Sequence, residues 1–428
     1  MRLLFQHRGL RLIFVANLVS MIGSGMNTAA VTWFILQATH SEMSLSALVV
    51  IQTVPALLML PFTGVIIDRE DRRRLIMLLD ALRGTLILSV AFLAFRNEVQ
   101  VWHLYAMGAL VAAGFWMFWP TITALIQELS PESEFVGANT MLLAGVQGGW
   151  MIAGAIVGFV YEHIHLGGVL ALDAVTYAVS LICYFAVRKG KVTVKPREVP
   201  AHVAENAFAR YMHELHEGLH YLRHKPHIVL LGISWSIFVA GMMTQGVTTA
   251  PLSDRILHAG ARGYGWLQGG WAVGAFASAL YAPLLIRWLH GRRAIVCAMA
   301  MLAVALTLAP FSGSLVIAVL CYLVMGSGRG LAGVAISSTI MAMVPKHFMG
   351  RVQNTFFFIG TSMQLVTSIT AGVIAEHVSL TLAFSVIGIM YGVAAITAAW
   401  PVAVPVKVPA YQGGSRGNGA TTSGFNRR

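Results

Sequence analysis

Twelve apolar runs recur along this chain, each long enough as a helix to cross the roughly 30 Å of hydrocarbon in a bilayer. No other feature constrains the fold as tightly. In hydrocarbon every backbone N–H and C=O needs an internal partner, so such runs must be helical. The predicted spans are 12–38, 44–67, 75–95, 101–127, 137–161, 167–187, 228–252, 263–289, 294–311, 314–343, 351–375 and 380–403. The first run is too long for the apolar core of a signal peptide and carries polar residues, so it is expected to be an uncleaved helix.

Composition agrees. Residues are 57% hydrophobic and 11% charged, against about a quarter charged in soluble domains. The net charge of +12 does not indicate nucleic acid. The basic residues are scattered among short loops and form no domain-sized patch. Cys183, Cys297 and Cys321 fall within spans, without metal-ligand spacing or a disulfide framework. No phosphate-cradling loop, nucleophile string or zinc-protease string occurs. An enzyme or primary ATPase is therefore not expected, and neither is a cofactor or metal.

Basic residues set the expected orientation. Arg2, Arg8, Arg11, Arg69, Arg72, Arg73, Arg74, Arg287, Arg292, Arg293, Lys346 and Arg351 fall on one side, with the central loop and tail. Arg96, Arg255 and Arg262 fall on the other. Both termini are then cytoplasmic, in a multi-pass protein of the inner membrane. The halves also echo each other. Pro131 and Pro345 follow spans 4 and 10, and Gly158 to Glu162-His163 matches Gly372 to Glu376-His377, all offset by 214 residues. Two six-helix bundles related by an axis along the membrane normal produce such an echo. The expected domains are 1–187, a cytoplasmic loop 188–227, 228–403, and a disordered tail 404–428. Within the loop, Phe208, Tyr211, Met212, Leu215, Leu219 and Leu222 form an apolar stripe of a surface helix. His213, His216, His220, His224 and His227 line another face, read as a titratable polar surface.

Seven charges fill the seven residues Asp68 to Arg74 between spans 2 and 3. Such a knot must sit at a membrane face. The pattern Gly64-x3-Asp68-Arg69-x2-Arg72-Arg73 resembles the loop between helices 2 and 3 of major facilitator superfamily transporters. The resemblance extends along the chain and is closest to the enterobactin-exporter-like branch. It is carried by Ser20–Gly23 with Val31–Phe34, Val54–Arg74, Asp80–Arg83, and Glu217–Leu222 with Pro226. Asp71 replaces the superfamily's glycine, Ser24 stands where the branch has an acid, and helix 5 lacks the antiporter proline.

The resemblance implies an all-α membrane protein with twelve transmembrane helices in two pseudo-symmetric bundles. It implies a conformational latch in which Asp68 faces the start of helix 11 near Arg351, with Gly64, Arg69 and Arg73 in the same loop. Arg72 is within reach of Glu128. Helices 1, 4, 7 and 10 would line a central cavity. Arg329 is then the leading substrate residue, because its guanidinium stays charged and grips anionic oxygens. Asn17, Ser20, Ser24 and Asn27 share one helical face and are expected to line water, substrate or another helix, the cavity being favoured. Gln245 and Thr248 add to it, and Trp116 or Trp119 could stack on an aromatic substrate. Asp80 and Arg83 are spaced to pair. The candidates for proton coupling are Asp173, Asp80 and Glu128, in no order.

The expected function is secondary export of a small amphipathic or anionic molecule, siderophore-like or drug-like, by alternating access. The partners are that substrate, the lipid bilayer and, if coupling exists, protons; no oligomer is required. A lysophospholipid flippase of the same fold and a non-transporting receptor or assembly factor are the alternatives.

Overall fold

A computed structural model describes residues 8–129, 135–187, 207–345 and 349–400. The side chains of Asp68 and Arg69, the position of Gly64, and the predicted tail lie outside the described residues. Among those described, all regular structure is helical. The helices are α1 (Arg8–Thr39), α2 (Glu42–Arg69), α3 (Arg72–Phe95), α4 (Val101–Leu129), α5 (Phe135–Ala186), α6 (Ala207–Arg223), α7 (Pro226–Pro251), α8 (Gly260–Leu289), α9 (Gly291–Leu308), α10 (Leu315–Met343), α11 (Met349–His377) and α12 (Leu380–Ala399).

Spans 5 and 6 appear as one helical run of 52 residues. At about 1.5 Å per residue, a straight helix of that length would be more than twice as long as the hydrocarbon is thick. It is not straight. His165 has φ 51° and ψ −169°, outside the helical region. Along the first arm Met21 faces Gly149 and Gly25 faces Ala153, so that arm runs parallel to α1. On the second arm Ser24 meets Tyr177 and Asn17 meets Tyr184, an antiparallel run. α5 therefore doubles back at His165.

Among the described residues ten helices are long and apolar enough to cross a membrane, or eleven when the bent α8 counts as one span; the run that doubles back counts once among them. α8 bends by 57° between Ser278 and Leu280. Pro283 lies inside it, and its ring crowds the carbonyl four residues earlier, which is where the bend falls. After Pro251 the chain widens into a π-helical turn, Leu252–Ile256.

The apolar core divides along the chain. One cluster is built wholly from residues between Leu222 and Ala398. Two others belong to α1–α5, with Val247, Ala250 and Tyr264 reaching in from α7 and α8. Leu82, Phe185, Leu280, Trp288 and Ile389 are exposed on helices of a bilayer-spanning protein, where lipid is their solvent. The face carrying the α2–α3 turn, α6 and the start of α11 is called the basic face below; the other, with the α1–α2 turn and the ends of α7 and α11, is the opposite face.

α6 docks more narrowly than its stripe suggests. Tyr211, Leu215, Gly218 and Leu222 are buried, whereas Phe208 and Leu219 are exposed. Gly218 sets the docked face. A Cβ there would come 2.2 Å from Thr355 Oγ1 and 2.9 Å from the Arg351 carbonyl. Only glycine allows α6 to lie this close to α11.

Candidate functional site

The echo at 214 residues turns out to mark contacts between the halves at the opposite face. Gly158 lies in the first arm of α5. A Cβ on it would meet the Ala261 carbonyl at 2.8 Å, so the first turns of α8 approach it backbone to backbone. One turn later Glu162 accepts from Arg262 Nε at 2.5 Å. Gly372 does the same on α11, where a Cβ would meet Ser46 Oγ of α2 at 2.0 Å. One turn later Glu376 Oε2 accepts from Ser41 Oγ at 2.5 Å and from the Met43 amide at 2.8 Å. A carboxylate on free amides at a helix N-terminus is well placed by charge and geometry.

A third contact joins α2 to α7. The π turn carries Asp254 and Arg255 past the end of α7. Arg255 Nη1 lies 2.6 Å from Glu42 Oε1, and Nη2 donates to the His40 carbonyl at 2.7 Å. Gln37 donates to Asp254 at 3.3 Å. Deeper in, Ser46 donates to the Ser368 carbonyl and Gln364 donates to Thr53, both at 2.7 Å. Trp33 stacks on Tyr264 with centroids 5.9 Å apart. The halves are closed against each other on this face. Exposed ion pairs contribute only about 0–1 kcal/mol each. The Glu162–Arg262 and Glu376 contacts are of that weak kind, whereas Glu42 is fully buried beneath Arg255 and its pair is costlier to break. Sequence reading missed Glu42, Arg255, Arg262 and Glu376 as a group. The repeated Gly-x3-Glu was the available signal; the partners, 100 and 335 residues away, left none.

Arg329 sits in the C-terminal half. Its Nε points to Met242 Sδ at 3.0 Å, and its guanidinium lies over Trp271 at 4.7 Å. Tyr391 of α12 is within electrostatic reach. These partners come from α7, α8 and α12, and none is a carboxylate. A sulfur and an aromatic face solvate the cation weakly and leave it fit to hold an anion. Gln245 is buried on α7, where its carbonyl takes the hydroxyls of Thr248 and Thr249.

The polar face of α1 is turned toward α5 rather than toward the space between the halves, which corrects the cavity expectation. Asn17 donates to Tyr184 at 3.0 Å, Ser24 pairs with Tyr177 at 3.1 Å, and Asn27 donates to Asp173 Oδ2 at 2.6 Å. Ser20 is buried and bonds back to the Asn17 carbonyl. The reason is the second arm of α5, which offers two tyrosines and an aspartate at matching heights. Asp173 also lies within electrostatic reach of Arg83, so it is not without an opposite charge. Arg83 and Asp80 pair at 2.5 Å, as their spacing predicts, and both are buried.

At the basic face Arg72 pairs with Glu128 at 2.6 Å. Both belong to the N-terminal half, so this pair braces α3 on α4 and does not join the halves. Arg73 donates to the carbonyls of Tyr184 and Phe185 at the end of α5. Asp71 caps α3 by accepting from the Arg74 amide at 3.1 Å. Arg351 pairs with Glu217 of α6 at 3.0 Å. Trp116 packs edge-on to Phe357 of α11 at 4.9 Å, whereas Trp119 lies beside Phe115 within its own half. The loop histidines split. His213 lies 3.8 Å from Glu217, and His220 and His224 pack ring to ring.

The sequence profile described as Major Facilitator Superfamily matches residues 13–367. An uncharacterised MFS-type transporter, YfiS, of Bacillus subtilis (strain 168) is 22% identical over 89% of this chain and 90% of its own length. The multidrug efflux pump Tap of Mycolicibacterium fortuitum is 24% identical over 90% of this chain and 95% of its own. The crystal structure of the nucleoside transporter NupG superposes with a TM-score of 0.71 at 11% identity, covering 92% of this chain and 99% of that one. That likeness concerns the fold.

Proposed function

Since the chain belongs to the Major Facilitator Superfamily and is a multi-pass membrane transporter, we propose that it exports a small amphipathic or anionic molecule by alternating access. The observation that carries this reading is the paired closure at the opposite face. Glu162 on Arg262 and Glu376 on Ser41 and Met43 repeat one device across both halves. Two bundles tied on one face by symmetry-related weak contacts can rock about a site between them. Similarity to a relative named a multidrug efflux pump supports the outward direction.

In this reading the basic face is cytoplasmic and receives substrate. Arg329 attracts an anionic group, and Trp271 and Trp116 offer aromatic surface on the way. Closure of the basic face would bring the Asp68 loop to the start of α11, with Arg351 leaving Glu217. Kinship with the enterobactin-exporter-like branch, and with it a siderophore-like cargo, rests on the four strings quoted above.

The test is a thermal-shift screen of the purified protein against drugs, siderophores and lysolipids, followed by liposome flux of each hit. Export of a hit by the protein alone is the expected result. Stabilisation only by lysolipids, with headgroup translocation, would favour the flippase reading. Hits that bind and are never moved would sink the transporter reading of this chain.

A further inference from the structure

The N-terminal half buries two carboxylates and one guanidinium in a single cluster that the latch does not use. Asp80, Arg83 and Asp173 are 1%, 3% and 0% exposed. Asp80 is fully engaged: Oδ1 takes Arg83 Nη2 at 2.5 Å and Oδ2 takes Ser180 at 2.7 Å. Arg83 Nε goes to the Leu79 carbonyl. Its Nη1 is buried with no partner. The guanidinium lies 4.8 Å from the centroid of Tyr177, one helical turn after Asp173, and 4.9 Å from that of Phe118.

Asp173 is less well provided. Asn27 holds Oδ2. Thr176 has one hydroxyl proton, and its own-turn acceptor, the Asp173 carbonyl at 2.7 Å, is nearer than Oδ1 at 3.2 Å. Oδ1 therefore shares its one donor with that carbonyl. The titratable groups near Asp173 are Arg83 from α3 and Tyr177 on its own arm, with Asp80 held on the far side of Arg83's pair; α1 contributes Asn27 and Gly23. With all three groups ionised, one negative charge would be left over in a site sealed from water, and an unbalanced buried charge is costly. A proton on Oδ1 removes it.

We propose that Asp173 is the proton-binding site of this transporter, holding one proton on Oδ1 in the state seen here and giving it up when α1 moves away. The step breaks the Asp173 O–H bond and passes the proton to water, leaving a carboxylate that can recruit the free Nη1 of Arg83. α1 is the natural lever. Gly23 lies so close over the carboxyl that a Cβ would stand 2.3 Å from Oδ1, and the far end of the same helix holds Trp33 and Gln37 against the other half. Proton occupancy and closure of the opposite face are thus tied to one helix position.

The coupling part rests on the exporter reading; the binding part does not, and the two are tested separately. The first measurement is pH-difference infrared spectroscopy on the full-length protein in lipid. A carboxylic acid C=O band that titrates is expected in the wild type, absent in Asp173→Asn, kept in Glu128→Gln, and displaced but present in Asp173→Glu. A band that survives unchanged in Asp173→Asn, or no titrating band in the wild type, overturns the proposal. The second is flux of 8-anilinonaphthalene-1-sulfonate, an amphipathic anion suited to Arg329, in liposomes with and without a pH gradient. Asp173→Asn is expected to keep gradient-independent exchange and lose gradient-driven accumulation; accumulation equal to the wild type overturns coupling through Asp173. If the wild type moves none of this anion with or without the gradient, the export reading and the coupling part with it are overturned, while an infrared band that behaves as expected keeps the proton-binding part.

Discussion

Arg329 shows what one residue can commit a membrane protein to. A guanidinium among apolar helices normally answers to a carboxylate, and here it answers to Met242, Trp271 and the neighbouring Tyr391. A charge-assisted hydrogen bond to an anionic ligand is worth about 1.5–3 kcal/mol, which is roughly a tenfold to hundredfold change in affinity. Arg329→Ala should therefore weaken binding of any anionic hit by at least about tenfold, with Arg329→Lys between. Titration of the thermal shift checks this, and an unchanged midpoint would remove Arg329 from the site. Its charge at depth was legible in the sequence because so few charges lie within the spans. The role of Asn17, Ser24 and Asn27 was not. Their shared face was plain, but what it faced depended on Tyr177, Tyr184 and Asp173, some 150 residues later. A one-dimensional pattern says that a polar face is buried and is silent on its partner.

Elements were read more surely than their breaks. The apolar runs and the amphipathic α6 follow from periodicity, because lipid and water sort residues by face. The turn at His165 falls in the gap 162–166 left between spans 5 and 6; that the helical run continues through it was not legible. The π turn after Pro251 was equally hidden, although it aims Arg255 at Glu42. Close approach between elements gives the sharpest element-scale prediction. Gly372→Leu would drive a side chain into Ser46, whose Oγ is already 2.0 Å from the ideal Cβ position. The variant should insert normally, fail to close the opposite face, and lose most transport; surface labelling and liposome flux measure the two. Full flux would show that α2 and α11 need not meet. At the other face, Asp68→Asn should cut transport while sparing membrane insertion, since the pattern of acids and bases exceeds what topology alone requires. Normal flux by that variant would reduce the loop to a topology signal.

For the molecule as a whole, the central claim is that two halves rock and that Gly158-x3-Glu162 and Gly372-x3-Glu376 hold them together on one face. The echo was visible in the chain as a repeat, and its meaning came only when both glutamates were seen to cross between halves. Because each contact is weak, removing both should shift a population rather than unfold the protein. The direct measurement is a spin-label distance across the opposite face, between His163→Cys and Val378→Cys in a background with Cys183, Cys297 and Cys321 replaced. Both positions are exposed, one in each half. The wild type should give mainly one short distance. Glu162→Ala with Glu376→Ala should add a longer one, with the basic face closing in step. An unchanged distance distribution in the double variant would contradict the account.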